Sequence, residues 1–225
     1  MSSRTIPPRG SVSSGPQRSG ANPLPAPHKR PVQDRAKFTV QAIYDAYVRI
    51  WRRDGPDAAT TRAVATESGF AVGTLYAYFP NKAALHSGYV RHAMETLLEQ
   101  IDRDVIAASG QAWPKRLRNL VEITCGTRPD TPYFDAVMLQ LEHEIADRDR
   151  HQRAFTVLAG KWCEAIAGFE DLHPQPEPEL VSTLLLAVWG ARRYQLLVSA
   201  DPHQPPDWTG HLTTLCQRTL SGPPA

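Results

Sequence analysis

The chain has 225 residues, 41% of them hydrophobic, enough to bury a substantial core in one or two globular units. Its longest apolar stretch, 184–188, falls far short of the ~20 residues that cross a bilayer, and no apolar run near the start reads as a signal peptide, so a cytoplasmic protein is expected. The net charge of +2 is unevenly divided: residues 1–33 carry five basic residues and no acid, residues 34–92 carry eight basic residues and five acids, and the remainder must therefore carry −6. A basic front joined to an acidic back suits a protein whose front meets phosphate.

Residues 1–33 hold seven prolines and no hydrophobic periodicity, the composition of a disordered tail. Two readings stay open for it: a solvated extension, or a mobile basic arm that adds phosphate or minor-groove contacts. A helix is predicted over 35–53, with Phe38, Ala42, Ala46 and Ile50 at four-residue spacing as its buried stripe and Asp54-Gly55-Pro56 as its stop. Arg49, Arg52 and Arg53 form either a phosphate clamp or a solvated face.

Residues 61–85, TRAVATESGFAVGTLYAYFPNKAAL, contain two short helices, a glycine turn and the start of a third helix. Thr61 opens the first, and Gly69 stops it where a residue tolerating positive φ is needed. In the second, Leu75 and Phe79 share one face and pack down onto Val64 and Ala65. Val72, Gly73, Thr74, Tyr76, Ala77 and Tyr78 are then left for the outer side, a presentation that fits a major groove. Pro80 ends this helix, and Asn81 caps the next, with Pro80 and Leu85 placed as a hydrophobic staple.

The run from Gly69 to Lys82, followed by Leu85, closely resembles the signature of TetR-family transcriptional regulators. The resemblance covers roughly 50 residues when the preceding helix is included. It implies phosphate contacts from Thr61 and Lys82, one at each end of the motif, and contacts to phosphates or base edges from Thr74, Tyr76 and Tyr78. Val72 and Gly73 lie at the leading end of the recognition helix, where Val72 is placed to touch a thymine methyl. Packing is as good a reading of Tyr76 as phosphate contact. Two departures reduce the polar readers: many relatives carry a hydroxyl residue where this chain has Ala71, and a polar residue where it has Val72 or Ala77.

Beyond the motif, a long helix is predicted over 81–109, roughly 40 Å from the recognition helix into the next domain, and so a candidate lever between the two. Further helices follow from Trp113-Pro114 to about 124, over 133–147, over 150–169, over 177–199 and from Asp207 to about 220, with a loop at 126–132 and a break somewhere in 147–150. The apolar positions of 177–199 are too many for one narrow stripe, so two buried faces are expected. The expected architecture is all-α with about nine helices: a basic tail (1–33), a three-helix helix-turn-helix DNA-binding domain (34–84), and a helical ligand-binding and dimerisation domain (85–225).

Trp113, Phe134, Met138, Trp162, Trp189 and Tyr194 are candidates to line an apolar small-molecule pocket, of which about a third should do so. Cys125, Cys163 and Cys216 are odd in number and lack metal spacing, and read as reduced core thiols. His143, Asp147 and His151 fall at i, i+4 and i+8, too far apart on one helix to converge on an ion, so no metal is expected. No cofactor is expected, and no nucleophile, base and orienter pattern, phosphate loop or HExxH motif points to catalysis. The function expected is a ligand-responsive repressor that binds a near-palindromic DNA operator as a homodimer. By resemblance, the helices near 177–199 and 207–220 supply the dimer interface. The rivals are a helical binding or scaffold protein with a vestigial motif, and an enzyme using the aromatic pocket.

Overall fold

The computed structural model describes residues 34–199 and 207–222; the basic tail and the proline-bearing loop at 201–206 lie outside the described residues. Within them the chain is all-helical: α1 (Asp34–Asp54), α2 (Thr61–Ser68), α3 (Val72–Tyr78), α4 (Lys82–Ile101), α5 (Trp113–Cys125), α6 (Ala136–Ile145), α7 (Arg148–Ala167), α8 (Pro178–Val198) and α9 (Trp208–Leu220). A π-turn, Asp102–Ile106, prolongs α4 before the chain turns at Gly110. The helix expected from residue 133 begins instead at Ala136, because Asp135 takes the N-cap and accepts a hydrogen bond from the Met138 N–H at 2.8 Å. Asp147 does the same for α7, accepting from the Arg150 N–H at 2.9 Å, which places the break between α6 and α7.

Two apolar clusters organise these helices. The first is built from α1, α2, α3 and the start of α4, around Ile43, Tyr44, Tyr47, Ile50, Trp51, Val64, Leu75, Phe79, Leu85 and Tyr89. The face of α1 that fills it is not the one expected from four-residue spacing. Phe38 is 72% exposed, and the buried stripe runs through Val40, Ile43, Tyr44, Tyr47 and Trp51 as well as Ala46 and Ile50. Mixed i+3 and i+4 steps keep the larger aromatic rings on one side, whereas a strict four-residue row drifts off it. The second cluster joins the far half of α4 (Leu97, Ile101) to α5, α7, α8 and α9.

Arg116 is an unusual member of this second unit. Buried at 3% exposure, it donates to the carbonyls of Val105 (2.9 Å), Ile106 (3.3 Å) and Gly168 (2.6 Å), and its guanidinium lies 4.8 Å from the Phe169 ring centroid. It thereby satisfies carbonyls at the end of the π-turn and just past the end of α7 that have no partner within a helix.

The two units meet at α4 and at the strap of residues 131–135. Trp51 on α1 donates its indole N–H to Asp135 Oδ2 at 2.8 Å, and the Tyr133 hydroxyl donates to the same oxygen at 3.0 Å. Tyr89 on α4 donates to the Tyr133 carbonyl at 2.6 Å. Met138, on α6, is buried in the first cluster. Asp135 is thus both the cap of α6 and the anchor of α1.

His86 sits inside this joint at 2% exposure, its Nδ1 2.8 Å from the Tyr47 hydroxyl and its ring stacked 5.9 Å from Trp51. Burial pushes its imidazole from the ordinary 6.5 down to about 4, so the fold holds it neutral. Between those pH values the unfolded chain binds the extra proton, so stability conferred by neutral His86 is present above pH 6.5 and lost as pH falls toward 4, by up to about 3 kcal/mol. Urea unfolding at pH 7 and pH 4 should show a loss larger by that amount in the native chain than in His86→Gln; equal losses would contradict this role.

Candidate nucleic-acid interface

The first unit holds α3 in a fixed attitude. Thr60 caps α2, its hydroxyl oxygen accepting from the Ala63 N–H at 3.1 Å. Gly69 closes α2 in the left-handed region at φ 75°, its N–H reaching back to the carbonyl of Thr66 while the Phe70 N–H bonds Ala65. A Cβ there would meet no neighbour, so the requirement for glycine is conformational. After this turn Leu75 and Phe79 are driven into the core, at 0% and 1% exposure, against Val64 and Ala65, both fully buried. Asn81 then caps α4 by accepting from the Ala84 N–H at 2.8 Å.

With that side of α3 anchored, Gly73, Tyr76 and Ala77 are exposed, and Val72, Thr74 and Tyr78 are half-buried. Val72 and Tyr78 both pack against the first cluster with part of their surface, and the Tyr78 ring lies 6.3 Å from Phe79. Ala71 supplies no side-chain cap to α3, so the first N–H groups of that helix are not covered by a hydroxyl.

Thr61 and Lys82 are placed differently from a simple pair of outward contacts. Thr61 is 8% exposed and donates its hydroxyl to the Tyr76 hydroxyl oxygen at 3.3 Å, bracing α3 against α2 from within. Lys82 donates to the Pro56 carbonyl at 2.6 Å and lies 3.9 Å from Asp57, while keeping part of its surface. The Thr61–Tyr76 bond puts the start of α2 beside the outer side of α3. Thr60 and Arg62, both exposed, therefore flank the same surface. Neither is among the residues expected at the interface, although a hydroxyl residue and an arginine bracketing Thr61 at the start of α2 are the signal that points to them. Arg49 and Arg53 pair with Glu67, at 3.1 and 3.3 Å, and so join α1 to α2. They are not a free clamp.

Of the six residues expected around a pocket, Phe134 and Trp189 line a cavity of about 50 Å³ walled also by Val90, Met94, Leu97 and Leu139. Trp162 is fully buried in the second cluster and donates its indole N–H to Thr124 Oγ1 at 3.1 Å. Met138 fills the joint with the first cluster, Trp113 packs at the edge of the second, and Tyr194 is 68% exposed. Size and apolarity cannot separate a filled core from a cavity wall, because burial demands the same side chains in both. A second cavity of about 370 Å³ shares the Thr131, Pro132 and Phe134 wall and adds Arg52, Arg128 and Arg192.

His143 and His151 are not on one helix, since Asp147 starts α7 between them. Their rings lie 5.6 Å apart and His151 Nδ1 is 3.7 Å from Glu142, and no group of metal-binding geometry is found among the described residues. Burial pushes the Cys125 and Cys216 thiols up, to about 12 and about 11, which keeps both protonated and unreactive.

Residues 43–87, which contain most of this unit, match the family described as bacterial regulatory proteins, tetR family. The tetracycline repressor protein class D of Escherichia coli is 31% identical over 120 residues, a match covering 47% of this chain and 53% of the repressor, so the likeness spans about half the length of that relative. Among solved structures, a TetR-family transcriptional regulator from Mesorhizobium loti aligns with a TM-score of 0.57 at 16% identity, covering 84% of this chain and 96% of that one. The fatty acid degradation regulator FadR of Bacillus halodurans aligns with a TM-score of 0.51, also at 16% identity, over 86% and 97% of the two chains. These structural likenesses extend over both helical units and speak for the fold. With the glycine-hinged helix pair at its front and this fold behind it, the chain resembles the TetR family of bacterial regulatory proteins, most closely over residues 43–87.

Proposed function

We propose that the protein is a ligand-responsive transcriptional repressor that binds a near-palindromic operator as a homodimer. The observation that carries this reading is the attitude of α3: Leu75 and Phe79 fix it from beneath while Gly73, Thr74, Tyr76, Ala77 and Tyr78 cover its outer side and flanks. A helix so presented enters the major groove, with Thr74, Tyr76 and Tyr78 reaching phosphates or base edges and Val72 and Gly73 near the base pairs at its leading end. Lys82 and Thr61 support the two ends, Lys82 from its exposed part and Thr61 by positioning Tyr76. One seven-residue helix makes few base contacts, so specific binding needs the two-fold repetition of a dimer over half-sites about 34–36 Å apart.

The exposed apolar face of α8 and α9 supports that dimer. Leu186 (60% exposed), Gly190, Tyr194 (68%) and Leu197 follow one another at helical spacing on α8, and Leu215 is exposed on α9. A Cβ on Gly190 would meet nothing within the chain, so this glycine leaves room for a second helix to approach closely. Four such helices, two from each copy, would bury this face. Sedimentation of the native chain at micromolar concentration should show a dimer and the double variant Leu186→Asp, Tyr194→Asp a monomer. A monomeric native chain, or a variant that stays dimeric, would contradict this interface.

Ligand acts, in this reading, through the strap 131–135. Phe134 walls both cavities while its neighbours Tyr133 and Asp135 hold Tyr89 and Trp51 of the DNA-binding unit, so a shift of the strap shifts α1 and α4. A coupling of about 1–3 kcal/mol would lower operator affinity about 5- to 150-fold. Binding of the native chain to duplexes carrying its own upstream region should weaken steeply with salt, as phosphate-contacting proteins do; binding that ignores salt would contradict the reading.

A further inference from the structure

The larger of the two cavities has a composition that an apolar effector does not explain. Its wall contains three arginines, Arg52, Arg128 and Arg192, and no carboxylate. Arg128 is neutralised by Asp104 (3.0 Å) and Asp130 (3.2 Å). The other two have no acidic partner within ion-pair distance among the described residues. Arg192 donates only to the Thr124 carbonyl, at 3.3 Å, and Arg52 rests on a ring face. Two further polar atoms on the wall residues are buried without a hydrogen-bond partner: Trp208 Nε1, a donor only, and Thr131 Oγ1, which donates or accepts. Leaving the half-buried Arg192 and two buried polar atoms without such partners is costly, and the exposed Arg52 adds a second unpaired cation to the same wall, so this group favours an anion.

The arrangement also says where the anion acts. Arg52 belongs to α1 and stacks 5.1 Å from the Tyr133 ring centroid; Arg192 belongs to α8 and lies 5.7 Å from Phe134 and 5.1 Å from Trp189. The two guanidiniums therefore approach one cavity on successive rings of the strap, one from each helical unit. The smaller cavity opens on the same Thr131, Pro132, Phe134 and Arg192 wall and adds the apolar Val90, Met94, Leu97 and Leu139, with Glu142 on its wall paired to Arg193 at 3.2 Å.

We propose that this paired cavity binds a small organic carboxylate, its anionic head held between Arg52 of the DNA-binding unit and Arg192 of the ligand-binding unit and its apolar body lying toward Trp189 and Leu139. Such a ligand touches both units at once, so its binding bears directly on how α1 is placed relative to α8. This deepens the effector reading given above and rests on it only for the consequence on DNA, not for the binding itself.

The probes are 1-naphthoate and decanoate, each against its neutral amide, titrated into the full-length protein with quenching of tryptophan fluorescence as the readout. Each acid should bind about tenfold or more tightly than its amide, the margin expected of a charge-assisted contact in a partly buried site. Arg192→Gln should abolish the difference between acid and amide. Arg52→Gln, at an exposed position of α1 and checked for an unchanged urea midpoint, should weaken the acids at least about threefold and leave the amides unchanged, as loss of one charged partner predicts. Acids that bind no better than amides, acids that do not bind, or acid affinity untouched in Arg52→Gln would overturn the proposal. Affinity for DNA is measured on the same ligand-free samples: intact DNA binding without acid preference overturns this inference alone, and acid preference without DNA binding overturns the repressor reading alone.

Discussion

Phe79→Ala is expected to destabilise the amino-terminal unit by about 3–5 kcal/mol, the range for removing a buried aromatic side chain from a packed core. Phe79 is 1% exposed, its ring 5.6 Å from Tyr44, and it ends α3 by donating its N–H to the Leu75 carbonyl at 2.8 Å. Against a typical domain stability of about 5–15 kcal/mol, that loss is a large fraction of the whole. It also frees α3 from the surface beneath it, so affinity for DNA should fall with stability. Phe38→Ala makes the matched control: at 72% exposure it should change stability by no more than about 0.5 kcal/mol. Urea unfolding followed by circular dichroism measures both. A loss below about 1 kcal/mol for Phe79→Ala would remove the basis for a fixed recognition helix.

Replacing Thr74 and Tyr78 together by alanine tests the opposite face. Both residues are only half-buried, so the cost in folding is small compared with Phe79, although Tyr78 gives up some packing against the first cluster. In the proposed dimer the cost in binding would be doubled by symmetry, because each residue would act in both half-sites. At about 1 kcal/mol for each side chain withdrawn from the DNA, the variant should bind the preferred duplex about 4 kcal/mol more weakly, on the order of a thousandfold. Fluorescence anisotropy with a labelled duplex gives this number directly. The slope of affinity against salt should change little if these side chains meet bases, and should become shallower by the number of phosphates released if they meet the backbone.

The elements at the front of the chain are legible in the sequence because their signals are local. Gly69 ends α2 by a backbone requirement that no neighbour modifies, Asn81 caps α4 with its own side chain, and Leu75 and Phe79 lie four residues apart on one helix. The break at Asp147 is visible only as a charged stretch. Its position depends on which of several acids turns its side chain back onto the helix, a choice made by tertiary packing. The buried face of α1 differs from the expected one because Phe38 has the right spacing but lies beyond the reach of the core, and bulk alone does not report that. The cavity is the least legible part. Phe134 and Trp189 stand out by their size, whereas Arg52 and Arg192, 140 residues apart in sequence, line one cavity only because the strap 131–135 brings Tyr133 to the first and Phe134 to the second. Arginines spaced so widely give no periodic signal.

The same long-range strap explains why the two units are not independent. Asp135, Tyr133 and Met138 come from the carboxy-terminal half of the sequence and yet complete the packing of α1 and α4. A shift of Phe134 would therefore have a short mechanical route to α1 and α4, through hydrogen bonds of 2.6 to 2.8 Å.

The measurement closest to the central claim is selection from a random duplex pool, carried out in parallel with the native chain and with the Thr74→Ala, Tyr78→Ala variant. The native chain should enrich a two-fold symmetric sequence with half-sites about one helical turn apart, and the variant should lose that preference while remaining folded. Enrichment of the same sequence by both proteins, or of none by the native chain, would contradict the assignment of α3 as the element that reads DNA.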